Sequence, residues 1–214
     1  MTILMKCSLA ITVFLWFFAI AASAQFFKGG VKGGMTASEV SGDHLSGPDK
    51  LGFYGAVYTM YPLSTVSYLQ MEVMYIQKGS RSIPDASNDY FDYNFSLNYV
   101  EVPLLYVYNI SKFFQHKALR DVLLYGGLSV SKLVGYSETQ RDLSLSSGYN
   151  TRYKPVELNF LVGFYYPLTS SLYATFGFSN SLTPIRSASL SATNGITSGQ
   201  YNSVWSLGLS FIVW

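Results

Sequence analysis

The chain has 214 residues, of which 12% are charged and 17% aromatic, and its formal net charge is +2. A soluble domain has roughly 25% charged residues, so the composition indicates a fold whose surface largely faces something other than water. The net charge is small and the basic residues are scattered, which excludes the electrostatic pattern of a nucleic-acid-binding protein.

Residues 1–24 have the pattern of a secretory signal peptide. One positive charge precedes the apolar run LAITVFLWFFAIA, and the small residues ASA that end at Ala24 fit a cleavage site. We predict cleavage between Ala24 and Gln25, so that residues 25–214 form the mature domain; an uncleaved membrane anchor is the alternative. Because the only cysteine, Cys7, lies in the leader, the mature chain is expected to have no disulfide.

Eight blocks with the alternation of a β-strand follow in chain order, and turn-forming residues separate them. They are residues 28–37, 51–61, 66–78, 95–108, 122–134, 153–166, 172–182 and 201–214. The first block is rich in glycine and has the weakest alternation. No run after the leader reaches the roughly 18 apolar residues that a spanning helix needs. The pattern predicts an all-β fold.

The connections between the blocks alternate in length. PLST joins the second block to the third and PLTS joins the sixth to the seventh, whereas four other connections are long and polar. Short turns at one end and long loops at the other are typical of outer-membrane barrels. The connection 109–121, NISKFFQHKALRD, breaks this alternation, and we interpret it as a short helix at the periplasmic rim.

Each clear block has one strongly apolar face and one face of small polar residues. The apolar faces consist of Leu69, Met71, Val73 and Tyr75; Val122, Leu124, Leu128 and Val130; Val156, Leu158, Phe160, Val162 and Phe164; Leu172, Ala174, Phe176 and Phe178; and Trp205, Leu207, Leu209, Phe211 and Val213. The opposite faces carry mostly Ser, Gly, Gln and Glu, which suit a crowded interior. We therefore predict an eight-stranded antiparallel transmembrane β-barrel with its apolar side chains in lipid.

Tyrosines cluster beside the short turns. Such residues often form a girdle at the membrane interface, with the ring in lipid and the hydroxyl among the headgroups. For any single tyrosine, ordinary β-propensity is the alternative explanation. We assign the girdle to Tyr58, Tyr61, Tyr106, Tyr108, Tyr165 and Tyr166.

Alternation also directs several charged side chains into the lumen. They are Lys28, Lys32, Glu72, Lys78, Glu101 and Glu157. Residue counts from the turns put Glu72 and Glu101 at similar heights, with Lys32 at a comparable level. We predict a lumenal polar network of Lys32, Glu72, Glu101 and Glu157 that fills the barrel. An ion or proton path is the functional alternative to this structural role.

Pro103 lies on the same face as Glu101, in the middle of the fourth block. Alternation places Val100, Val102 and Leu104 in lipid, so both exceptional residues point into the lumen. Proline lacks the N–H that a strand needs, and a closed barrel has no edge on which to place it. We therefore predict a bulge or a missing ladder bond at Pro103.

The sequence shows little sign of a catalytic or metal site. His44 and His116 lie in connections expected at opposite ends of the barrel, so they are not expected to share a metal. The G-x-S-x-G motif of a nucleophile elbow does not occur, although serine is abundant enough for a Ser-His-acid triad. KGGVKGG lacks the spacing of a phosphate-binding loop. We expect no cofactor, no metal and no enzymatic activity.

Two elements carry a family resemblance. Residues 70–79 fit the pattern Q-x-E-x-x-Y-x-Q-K-G, and residues 99–105 read YVEVPLL. With the glycine-rich first strand, a Gly-Gly strand and the ending NSVWSLGLSFIVW, they resemble the PorT-type outer-membrane β-barrel family common among Bacteroidota. The resemblance covers nearly all of the mature chain and implies fold and location, because family members differ in function. Trp214 departs from the family pattern, since it is out of phase with the lipid-facing residues of its strand.

These features lead us to expect an outer-membrane protein with a structural or interaction role. It would act as a membrane anchor with surface loops, as an accessory to secretion or envelope assembly. Outer-membrane lipid and envelope or secretion proteins are the expected partners, and nucleic acid is not. The alternatives are a small pore or transport channel, an outer-membrane enzyme, and a soluble lipocalin-like carrier, which would need an apolar lumen.

Overall fold

Nine antiparallel strands form one sheet in the computed structural model, which describes residues 27–41, 47–84, 92–112, 121–140, 143–147, 153–186 and 199–213. The strands are β1 (Lys28–Ser41), β2 (Lys50–Pro62), β3 (Ser67–Ser82), β4 (Tyr93–Asn109), β5 (Leu123–Gln140), β6 (Leu143–Ser147), β7 (Val156–Pro167), β8 (Leu172–Ser181) and β9 (Tyr201–Val213). A single 3-10 turn, Ile110–Lys112, begins the connection that we interpreted as a helix, and residues 113–120 lie outside the described residues. No helix among the described residues has the length and hydropathy needed to cross a membrane.

Eight of these strands close into a barrel. The strands β1 to β5 pair in succession, and β5 then pairs with β7. β7 pairs with β8, β8 pairs with β9, and β9 returns to β1. The predicted eight-stranded antiparallel barrel is therefore confirmed. β5 extends beyond the start of β7, and β6 pairs with this extension. The segment 135–152, which we expected to be a loop, therefore contains a hairpin.

The short turns form one end of the barrel, which we call the turn end. In each of them a proline ends the first strand, and the amide of the residue after the proline donates a hydrogen bond across the turn. Leu63 N donates to Ser67 O at 2.9 Å, and Leu168 N donates to Leu172 O at 2.9 Å. The strand ends joined by the four long polar connections lie at the opposite end, which we call the loop end, whereas β4 and β5 are joined at the turn end. Strand alternation between these two ends determines which side chains face outward.

Alternation places the apolar faces on the outside, as predicted, with one exception. Leu69, Met71 and Val73 on β3 are exposed, whereas Gln70 and Glu72 are buried. Val122 was assigned to the outward face but is only 5% exposed. It precedes β5 rather than belonging to it, so the strand's alternation does not apply to it.

Two of the six tyrosines assigned to the girdle lie inside the barrel. Tyr58 and Tyr165 are 7% and 3% exposed, whereas Tyr61, Tyr106 and Tyr166 face outward. The assignment of Tyr58 and Tyr165 was wrong because their strand phase is that of the lumen. Their hydroxyls are hydrogen-bonded there: Tyr58 OH lies 2.7 Å from Ser210 Oγ, and Tyr165 OH accepts from Gln70 Nε2 at 2.8 Å.

Pro103 interrupts the ladder between β3 and β4. Met71 pairs with Leu104 and Met74 pairs with Glu101, but the two pairs between them are missing. The register is the same on both sides of this gap, so the proline removes ladder pairs without forming a bulge. The missing ladder bond that we predicted at Pro103 is confirmed.

A bulge occurs elsewhere, between β4 and β5. Asn98 pairs with Gly135 and Tyr99 pairs with Leu133, which leaves Val134 as the extra residue in β5. A one-residue insertion exchanges the two faces of every residue beyond it. The bulge therefore turns Glu138 into the lumen, where it is 1% exposed.

Tyrosine rings cover inward-facing glycines along the lumen. A Cβ added at Gly163 would lie 2.4 Å from Cζ of Tyr125 and 2.3 Å from the carbonyl oxygen of Phe176. The outward-facing Gly55, by contrast, has no atom within 4 Å of its hypothetical Cβ. Bulky rings therefore fit into the narrow lumen because the residues beneath them have no side chain.

We predict that Gly163→Ala lowers the free energy of unfolding by about 1–3 kcal/mol, because the added methyl overpacks the lumen. Gly55→Ala is the matched control and should change it by less than about 0.5 kcal/mol. Urea unfolding in detergent micelles, followed by tryptophan fluorescence, measures both values. Equal effects of the two substitutions would contradict this packing.

Candidate functional site

The buried charges of the lumen fall into three groups. In the lower cluster, Lys32 Nζ lies 2.8 Å from Glu72 Oε1. Gln70 Nε2 donates both to Glu72 and to the hydroxyl of Tyr165. The Lys32 ammonium also lies 5.7 Å from the ring centroid of Tyr125, within cation–π range. A charge pair and its aromatic neighbours thus occupy the lumen above the turn end.

The middle cluster joins one cation to two carboxylates. Lys78 Nζ lies 3.0 Å from Glu101 Oε2 and 2.9 Å from Glu157 Oε1, and these side chains are almost wholly inaccessible to solvent. The ring of Tyr99 lies 5.1 Å from the same ammonium. Three strands, β3, β4 and β7, are therefore linked across the lumen through the side chain of Lys78.

Neutral donors supply the remaining hydrogen bonds to both carboxylates. Ser129 Oγ donates to Glu101 Oε1 at 2.7 Å, and Ser131 Oγ donates to Glu101 Oε2 at 2.8 Å. Asn202 Nδ2 donates to Glu157 Oε2 at 2.8 Å. Every oxygen of Glu101 and Glu157 thus has a partner, as buried carboxylates require.

The upper cluster lies at the loop end. Arg186 Nη2 lies 3.0 Å from Glu138 Oε1, and the guanidinium lies 4.3 Å from the ring centroid of Tyr153. Burial raises the pKa of the Tyr153 phenol, so the hydroxyl stays protonated and donates to Glu138. The cluster ties the segments before β7 and after β8 to β5.

The structure groups the four predicted residues differently from the predicted network. Lys32 contacts Glu72, whereas Glu101 and Glu157 contact Lys78. Residue counts along the strands could not separate these groups, because lysine side chains reach along their strand and across the lumen. Lys78 was recognised as lumenal from its phase, but its central position was not.

The upper cluster was not predicted. Glu138 becomes lumenal only through the bulge, and Arg186 follows β8 in a segment that we treated as loop. The available sequence signals were Glu138, in a connection that also contains Arg141, Asp142 and Arg152, and Arg186, the single charged residue of the β8–β9 connection. Nothing in their spacing indicated that they meet.

Apolar side chains fill the lumen on both sides of the middle cluster. The group toward the loop end is Val40, Tyr54, Ala56, Met74, Ile76, Phe95, Leu97, Tyr99, Leu133, Tyr136, Tyr153, Ile185 and Val204. The group toward the turn end is Tyr58, Met60, Leu105, Val107, Leu123, Tyr125, Leu161, Tyr165 and Ile212. A void beside Lys32, Tyr54 and Thr175 measures about 20 Å³, room for a single water. The described lumen is therefore a packed interior.

The described residues contain no group of three or more His, Cys, Asp or Glu side chains placed to hold a metal ion. His44 and His116 lie outside the described residues, as do Trp214 and the cleavage-site residues Ala24 and Gln25. The chemistry that the lumen presents is charge pairing and hydrogen bonding among its own side chains.

We predict that Lys78→Met lowers the free energy of unfolding by about 3–5 kcal/mol, because it leaves two buried carboxylates without a cation. Glu101→Gln should cost no more than about 2 kcal/mol, since Lys78 keeps Glu157 and the amide can still bond both serines. The exposed Lys154→Met is the matched control and should be close to neutral. Urea titration in detergent gives all three values, and a loss for Glu101→Gln as large as that for Lys78→Met would refute this order.

The comparisons with known proteins agree with this architecture. The chain is similar to the attachment invasion locus protein Ail of Yersinia pestis, with 14% identity, a TM-score of 0.51, and coverage of 87% of this chain and 98% of that one. It is also similar to Neisserial surface protein A, with 16% identity, a TM-score of 0.51, and coverage of 86% and 96%. At these identities the likeness is one of fold. A search of curated protein sequences found no match.

A family model provides the assignment. The model described as "Outer membrane protein beta-barrel domain" matches residues 22–186, which is most of the chain. Its description agrees with the closed barrel and its outward apolar band. The chain belongs to this family of outer-membrane β-barrel proteins, and it is located in the outer membrane.

Proposed function

We propose that this protein is a non-conducting outer-membrane anchor that presents its long external connections, or its periplasmic face, to other proteins of the envelope. The single observation that carries the proposal is the packed lumen. An anchor needs a stable membrane-embedded barrel and no path through it. A pore or transport channel needs a continuous polar path instead.

The three charged clusters support the role of anchor because their members bind one another. Lys32 is paired with Glu72, Lys78 with Glu101 and Glu157. Groups of an ion or proton path would have to exchange partners with a passing ion, at the cost of breaking buried pairs. The same engagement of the lumenal carboxylates supports a role without catalysis.

The length of the external connections also supports contact with other proteins. Loops carried by a rigid scaffold are where binding residues concentrate, and long external connections are the part of such barrels that reaches beyond the lipid. The PorT-type resemblance suggests the more specific role of an accessory to secretion or envelope assembly. In this proposal the barrel supplies position and the connections supply specificity.

The proposed mature protein begins at Gln25, after removal of residues 1–24. The first barrel strand begins at Lys28. Cleavage after Ala24 would thus leave all of β1 in the mature domain, residues 25–214. Mass spectrometry of the protein from isolated outer membranes would measure this terminus directly.

Planar-bilayer recording tests the closed lumen. We expect no stepwise ionic current from the purified protein, because the described lumen has no continuous space for hydrated ions. A general porin, reconstituted in the same lipid, is the positive control, and protease protection verifies insertion. Current steps whose size scales with salt concentration would refute the anchor and favour the pore.

Site-specific photocrosslinking in intact cells tests the interaction role. A photoreactive residue in the β8–β9 connection, at Thr193, should give discrete adducts with protein, because this connection is expected to lie outside the lipid. Val57, on the outward wall, is the matched control position and should give adducts with lipid only. Lipid adducts alone from positions in every long connection and every short turn would contradict the proposal.

A further inference from the structure

Two exposed lysines lie side by side on the outer wall between β5 and β7. Lys132 pairs with Val156 on β7, and Leu133 N donates to Pro155 O at 2.9 Å, which continues the pairing beyond the strand. Lys154 therefore occupies the position diagonal to Lys132, at a Cβ separation of about 7 Å. Both side chains are exposed, and their flexible four-carbon stems allow the two ammonium groups to converge.

The pair lies at the upper edge of the apolar band. Below Lys132, the outward positions of β5 are occupied by Leu124, Leu128 and Val130. The stretch from Leu124 to Lys132 has nine residues, about the length of strand that crosses a bilayer. Two cations at this height, toward the loop end, stand at the level of the outer-leaflet headgroups.

The part of the outer surface around the pair that the structure describes carries cations and no carboxylate. The carboxylates of the neighbouring strands, Glu101 on β4, Glu138 on β5 and Glu157 on β7, all point into the lumen and are at most 1% exposed. The described part of β8 contains no carboxylate. The two lysines therefore face no outward carboxylate on the described strands around them.

The opposite wall carries both signs of charge at its upper edge. Arg81 on β3 faces outward there, Lys50 at the start of β2 is half-buried and has the strand phase of the lumen, and Glu39 on β1 and Asp49 lie at the same rim. An anion that approaches this wall meets carboxylates as well as cations. Among the described residues, the exposed lysines without a nearby outward carboxylate thus lie on the wall that contains Lys132 and Lys154.

We propose that Lys132 and Lys154 together bind the phosphate group of an outer-leaflet lipid. The phosphate lies between the two ammonium groups, and the acyl chains lie along the apolar side chains beneath, including Val130, Val156 and Leu158. Exposed lysines at a membrane edge also extend toward water without binding anything. Binding differs from this behaviour because it requires both lysines and a phosphate carried by a lipid.

The experiment uses the purified full barrel in neutral detergent, with monophosphoryl lipid A as the probe and native mass spectrometry as the readout. The double variant K132Q/K154Q should bind the lipid about thirtyfold more weakly, at about 1 kcal/mol for each lysine near an anionic headgroup. The matched variant K50Q/R81Q removes the same charge from the loop-end rim on the opposite side of the barrel and should bind as the wild type does. Gel mobility without heating verifies that each variant is folded.

Two further arms separate the sources of phosphate. The same lipid with its phosphate removed should bind the wild type as weakly as the intact lipid binds K132Q/K154Q. Inorganic phosphate at the lipid's concentration should not displace it. The proposal is overturned if both double variants lose the same affinity, if K132Q/K154Q loses none, if the dephosphorylated lipid binds equally well, or if inorganic phosphate displaces the lipid.

Discussion

Closure of eight strands into one sheet is the constraint on which the rest of the structure depends. Closure pairs the backbone of each of the eight barrel strands with two neighbours, which a sheet in a bilayer requires because lipid offers no hydrogen bonds. It also creates a lumen that is just wide enough for side chains. Each strand must therefore place apolar side chains outside and fill a narrow space inside. Glycines beneath tyrosine rings, such as Gly163 beneath Tyr125, are one solution to that space.

Charge balance is the second consequence of closure. Among the described residues, the buried charged side chains are three cations, Lys32, Lys78 and Arg186, and four carboxylates, Glu72, Glu101, Glu138 and Glu157. The surplus carboxylate falls in the middle cluster, where one lysine faces two acids. Hydroxyl and amide donors from Ser129, Ser131 and Asn202 surround these acids. Neutral donors thus stabilise negative charge that no further cation balances, and these donors explain why small polar residues line this part of the lumen.

Local sequence predicted the features that depend on alternation alone. The faces of β3, the inward position of Glu101 and the missing ladder pairs at Pro103 all follow from a period of two. The errors occur where another geometry intervenes. Tyr58 and Tyr165 were assigned to the girdle by their nearness to the turns, although their phase is lumenal. The partners of Glu101 depend on how far a lysine side chain reaches across a tilted barrel, which no single strand encodes.

The bulge at Val134 shows how one extra residue links the wall of the barrel to its loops. Without it, the upper part of β5 would keep the phase of Ser131 and Leu133, and Glu138 would face outward. The buried carboxylate of Glu138 is therefore available to Arg186 and Tyr153 only because β5 changes phase at Val134. Lys154 N also donates to Ile185 O at 2.8 Å, so the backbones of the same two segments are bonded to each other. The extra residue in the wall thus determines how the segments that precede β7 and follow β8 are anchored at the loop end, from which the external connections extend.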